Sequence, residues 1–144
     1  MKRIFLLFLA LLVLVGCSTV VQYVNYTDQR FPPKPRYYFV TVYDSQPPST
    51  IQPFQVIGRL EISGLMSDGV SQDLLMDQAK HIARAKGADA IINARIERVG
   101  YNEVGVVPGY FGRHYYHPAE YISRTNMLLI FRGELIAFIP APVK

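Results

Sequence analysis

The chemistry open to this chain rests on few side chains: one cysteine, three histidines and ten tyrosines. A single thiol forms no intrachain disulfide, and a four-cysteine zinc site is excluded. His114 and His117 stand three positions apart. On a helix they would share a face; in a strand, alternation sends them to opposite faces. A closed zinc site needs four ligands, and a catalytic one needs three plus water. Glu120 and His81 are the other plausible donors, and no spacing brings them near. The histidines are therefore weak metal candidates, and no cofactor is expected. Catalytic signatures are also missing: there is no Gly-x-Ser-x-Gly, no phosphate-binding glycine loop and no His-Glu-x-x-His. Asp44, Glu61, Asp68 and Glu103 could supply paired carboxylates, but no spacing selects a pair. Ser63-Gly64 and Ser67-Asp68-Gly69 suit a turn and a cap. The expectation is a protein that is not an enzyme.

Cys17 has the most informative surroundings. Met1-Lys2-Arg3 is a short basic start, followed by twelve apolar residues from Ile4 to Val15. A permanent membrane span needs about 20 such residues, whereas a run of this length suits a signal peptide. Leu14-Val15-Gly16-Cys17 then resembles a bacterial lipobox. The resemblance implies a thiol diacylated at Cys17, cleavage after Gly16 and an acylated new amine. Several acyl chains hold a protein stably at a membrane. Ser18 resembles the outer-membrane sorting class, so the expected location is the outer membrane, facing the periplasm.

The second informative region is Gly100 to Ser123. It holds Tyr101, Tyr110, Phe111, Tyr115, Tyr116 and Tyr121, with Arg113, His114 and His117 among them. Long segments of this kind between regular elements are often functional. The expected form is a hairpin arm, with Glu103–Val107 paired to Arg113–His117 around Pro108 to Gly112. Tyr and Arg are typical of binding surfaces, and tyrosine rings also stack on sugar faces. The other reading has these tyrosines capping a sheet face that a single helix leaves bare. The candidate partner-binding residues are Tyr101, Tyr110, Phe111, Arg113, Tyr115 and Tyr116.

These residues need a frame. The chain has 144 residues, half of them apolar and 18% charged, which excludes a mainly disordered protein. Its net charge is +4, and without Lys2 and Arg3 it is 13 cations against 11 anions. That bias is too weak for a nucleic-acid surface. The expected organisation is a signal peptide over 1–16, an acylated Cys17 with a Pro-rich tether over 17–36, and one domain over 37–144. Pro32-Pro33-Lys34-Pro35 favours extended chain, and nineteen such residues reach roughly 60 Å. The alternative makes Val20–Val24 an edge strand.

Strands are expected over Tyr37–Asp44, Phe54–Ile62 and Ala88–Val99. In the second, Phe54, Val56, Gly58, Leu60 and Ile62 share a face; in the third, Ile92, Ala94 and Ile96 do. The last strand runs over Arg124–Arg132, with Leu135–Ile139 continuing it or pairing back. The helix is expected over Ser71–Lys86. Leu75, Ala79, Ile82 and Ala83 form its buried stripe, Ser71 or Asp68 its cap and Gly87 its terminator. The order β-β-α-β-arm-β describes a small α+β fold: an antiparallel or mixed sheet with one helix on one face.

The segment Ala85-Lys86-Gly87-Ala88-Asp89-Ala90-Ile91-Ile92-Asn93, with the Phe54–Ile62 strand before it, resembles the α+β domain of YbjQ-like and RcsF-type proteins. In both, a short helix runs into such a strand. RcsF-type proteins sense envelope stress through partner proteins, and YbjQ-like proteins suggest ring-forming self-assembly. The resemblance therefore implies a binding, structural or stress-sensing module. The expected partners are the membrane, through the lipid, and an envelope protein or peptidoglycan. The alternatives are a ligand-binding module for glycan or metal, and a homo-oligomer.

Overall fold

A computed structural model describes residues 19–47, 52–113 and 115–139. The signal segment, Cys17 and His114 lie outside the described residues. The elements are strands β1 (Thr19–Asn25), β2 (Thr41–Val42) and β3 (Phe54–Leu65), a short 3-10 turn (Met66–Asp68), helix α1 (Gln72–Ala85), and strands β4 (Ala90–Val107), β5 (Tyr110–Phe111), β6 (Tyr116–His117) and β7 (Glu120–Phe138). Five strands form one sheet in the order β1-β3-β7-β4-β2. All neighbours are antiparallel except β2, which runs parallel to β4. The fold is thus the expected α+β layer with a mixed sheet. Among the described residues, no helix is long and apolar enough to cross a membrane.

Helix α1 forms where its sequence says it should. The Ser71 hydroxyl accepts the Leu74 N–H at 3.2 Å, and Asp73 lies in the first turn. Leu75, Ala79 and Ala83 are fully buried along one stripe. At the other end, Gly87 takes φ = 77°, a left-handed value that suits glycine. Its N–H reaches the Arg84 carbonyl and the Ala88 N–H reaches that of Ala83, so the last turn closes on itself. The main core lies between α1 and the sheet. Ile57, Leu60 and Ile62 of β3, Ile91 of β4, and Leu129, Phe131 and Leu135 of β7 meet the helix stripe there.

Two bulges redistribute the side chains expected on one face. Register shifts between Val56 and Gly58 in β3, and between Ile92 and Arg95 in β4. An extra residue reverses the alternation on either side of it. Phe54 and Val56 therefore leave the face of Leu60 and Ile62 and pack with Ala90, Ile92 and Ile136 on the far side of the sheet. Ile92 likewise parts from Ala94 and Ile96, which stay on the helix side. Asn93 absorbs the β4 bulge at φ = 51°, a value asparagine tolerates, and its amide donates to Glu134 at 3.0 Å.

Two other expectations change. The described part of the expected tether is not free, because Thr19–Asn25 pairs along β3 from Thr19↔Gly64 to Asn25↔Gly58. The β-branched and aromatic run prevails there, and Tyr23 reaches the core. The Pro-rich stretch lies downstream as a strap around the C-terminal end of α1, where the Lys34 N–H donates to the Arg84 carbonyl at 2.8 Å. Within the expected strand Tyr37–Asp44, only Thr41 and Val42 pair. Of the two alternatives for the end of the chain, continuation past Gly133 is the one observed: β7 is one unbroken strand of 19 residues.

Candidate functional site

The site region is the outer half of the β4–β7 hairpin. The two strands stay in register from Gly100↔Met127 to Val107↔Glu120, past the last core pair. Glu103–Val107 therefore pairs with Glu120–Arg124, and the expected partner segment Arg113–His117 lies further out. The tip is a separate ribbon, with Tyr110↔His117 and Phe111↔Tyr116. The arm was anticipated, but its register moves because β4 continues straight through Val107 before the chain turns.

At the tip the aromatic rings gather. Tyr110 and His117 stack with centroids 4.4 Å apart, Tyr115 leans on His117 at 4.5 Å, and Phe111 meets Tyr116 at 4.8 Å. The Gly112 N–H closes the turn on the Tyr115 carbonyl at 2.8 Å. Phe111 remains 86% exposed and Tyr115 66%, so these contacts arrange rings without burying them. Arg113 is exposed beside them. Five candidate residues thus share the tip: Tyr110, Phe111, Arg113, Tyr115 and Tyr116. Tyr101 stands apart, paired with Asn126 near the root. Of the two candidate metal ligands, His117 is engaged in stacking. Among the described residues, no group of three or more His, Cys, Asp or Glu side chains could hold a metal.

The arm has two unlike faces. Ile96 and Phe131 pair and lie in the helix-side core. Counting outward in twos places the pairs Asn102/Thr125, Val104/Ser123 and Val106/Tyr121 on that same side. No charged side chain occurs among them. The opposite side carries Glu103/Arg124 and Val107/Glu120. There Gly105 faces Ile122 and leaves a hollow of about 230 Å³ beside Glu103 and Arg124. The Asn126 amide donates to Glu103 at 2.9 Å, and the Thr125 hydroxyl to Asn102 at 2.9 Å, which ties the strands together. Val104, Val106, Tyr121 and Ile122 were not among the candidates. Their alternating β-branched and aromatic pattern was the available signal.

Asp89, within the helix-to-strand motif, organises the other end of the domain. It is buried and accepts the Tyr38 hydroxyl at 2.6 Å, the Lys34 ammonium at 2.6 Å and the Phe138 N–H at 2.8 Å. Burial alone would raise its pKa. The donors, with Lys34 foremost, outweigh burial and hold the carboxyl below its ordinary value. The hydrogen bond to Asp89, then burial, pushes the Tyr38 phenol up to about 12. On the far face of the sheet, Arg132 bridges Glu61 at 2.8 Å and Glu97 at 2.6 Å, linking β7 to both neighbours.

No curated protein matches this chain. A crystal structure of a Francisella virulence factor, FvfA, is similar at 19% identity, with 80% of this chain and 96% of that chain covered and a TM-score of 0.40. Residues 1–18 match the prokaryotic membrane lipoprotein lipid attachment site. Together with Leu14-Val15-Gly16-Cys17, that match supports a bacterial lipoprotein of the envelope, held to its membrane by lipid on Cys17.

Proposed function

We propose that this lipoprotein is a non-enzymatic binding module, in a structural or stress-sensing role, whose contact element is the tip of the arm. One observation carries the reading: Tyr110, Phe111, Tyr115 and Tyr116 stand exposed together on the tip ribbon and its turn, which hold no part of the core. Exposed apolar clusters on soluble domains mark interaction sites, and tyrosine with arginine is the composition of binding hot spots. Ser18 after the acylated cysteine supports an outer-membrane position facing the periplasm. The partner is an envelope protein. A glycan of the cell wall is the second reading, favoured by the exposed ring faces at the tip. A ring of copies, or a metal at His117, whose ring is engaged in stacking, ranks below these.

The test is photocrosslinking in intact cells. A photoreactive residue would replace Phe111 or Tyr115, with Arg95 on the sheet face as control. The tip positions should give discrete adducts and Arg95 should not. A lysozyme-sensitive adduct identifies glycan, and a protease-sensitive one identifies protein. Equal labelling from all three positions would sink the reading.

A further inference from the structure

The arm and the lipid anchor leave the sheet at the same end. Thr19, Gly64, Leu129 and Arg98 lie in one row across β1, β3, β7 and β4. Strand β1 runs away from that end, so the chain toward Cys17 emerges there. Covalent geometry keeps the Cys17 Cα within about 7 Å of the Thr19 Cα. Two strand spacings, about 10 Å, separate β1 from β7. The arm starts about two residues beyond the row and continues for eight further pairs, roughly 24 Å. A membrane that receives the acyl chains is therefore within reach of the whole arm.

The arm cannot stand through that membrane. Its strand edges are unpaired, and Glu103, Glu120 and Arg124 would enter hydrocarbon. Open edges and unpaired charges are excluded from that layer. It can lean onto the membrane with one side down, and its two sides are suited to that unequally. The helix-side face offers Asn102, Val104, Val106, Tyr121, Ser123 and Thr125, with no charge. Val104, Val106 and Tyr121 are 64%, 57% and 79% exposed. Such an apolar and hydroxylic surface suits the headgroup boundary, where amphipathic elements settle about 5–10 Å deep and tyrosine is favoured. We propose that this face rests on the lipid headgroups of the leaflet holding Cys17, as a second membrane contact that steers the tip along the surface. The inference goes beyond the tip reading and uses different residues.

The chain has no tryptophan, so one introduced indole becomes a clean reporter. The full lipidated protein would be reconstituted into phosphatidylethanolamine–phosphatidylcholine vesicles. Single replacements would be Val104→Trp and Tyr121→Trp on the uncharged face, and Ile122→Trp on the opposite face. All three positions are outside the core. The first two should show blue-shifted emission and quenching by headgroup-nitroxide lipid several-fold stronger than Ile122→Trp, unchanged by salt. Equal quenching on both faces, or none, overturns the proposal. Tip crosslinks that persist without this quenching would leave the tip reading standing and remove this one.

Discussion

Asp89 joins three distant parts of the chain in one carboxylate. Lys34 and Tyr38 belong to the strap, and Phe138 ends the last strand. Asp89→Asn should cost about 1–3 kcal/mol, because it leaves a half-buried ammonium without its counter-charge. The pH dependence follows from the directions. The native carboxyl is more acidic than the unfolded one, so its stabilisation is complete above the ordinary Asp value, near 4, and disappears as pH falls through the lower native value. Tyr38 works in the other sense. Its contribution is complete below pH about 10 and is lost toward about 12. Chemical denaturation across pH should show both limbs, the acid one absent in Asp89→Asn and the alkaline one reduced in Tyr38→Phe, with Tyr23, which burial also raises, supplying the rest. An acid limb that persists in Asp89→Asn would refute the assignment. In the sequence, Cys17 was legible because signal chemistry is written in adjacent residues. Asp89 read only as part of a fold motif, since its hydroxyl donor lies 51 residues away.

The elements divide in the same way. Helix α1, its cap and its glycine terminator were legible because each depends on neighbours within one or two turns. The arm was legible too, as an aromatic-rich excursion. Its register was not, because strand pairing is decided by the partner strand. The bulges at Ile57 and Asn93 escaped for the same reason, as each exists only against β7. Between Val99 and Leu128 the arm contributes nothing to the core. Replacing residues 101–126 by Asn-Gly joins two paired residues with a favoured hairpin turn. The stability of that protein should lie within about 1 kcal/mol of the parent, the range of surface changes. Thermal unfolding monitored by circular dichroism checks it. Loss of a cooperative transition would mean that the arm is structural after all.

For the molecule as a whole, the change with most consequence is that the expected tether became β1. A flexible leash of roughly 60 Å would let the domain sample a large volume. Pairing that begins at Thr19 leaves a far shorter link between the sheet and Cys17. Inserting twenty Gly/Ser residues between Ser18 and Thr19 should leave the fold intact. It should also weaken the lipid quenching of Tyr121→Trp, because the effective concentration at the surface falls. Unchanged quenching would mean that the arm's own affinity, without the short link, suffices to seat it. The proline run misled the sequence reading because extended chain can equally be a strap laid on a surface, and only Asp89 and α1 make it one.

The order of the strands also bears on folding. The centre of the sheet is β7, which follows both of its partners, β3 and β4, along the chain. Strand β3 has no partner on its core side until Leu128 to Phe138 arrive, and neither does β4. The five-stranded sheet, and the core between it and α1, therefore closes only once β7 is in place.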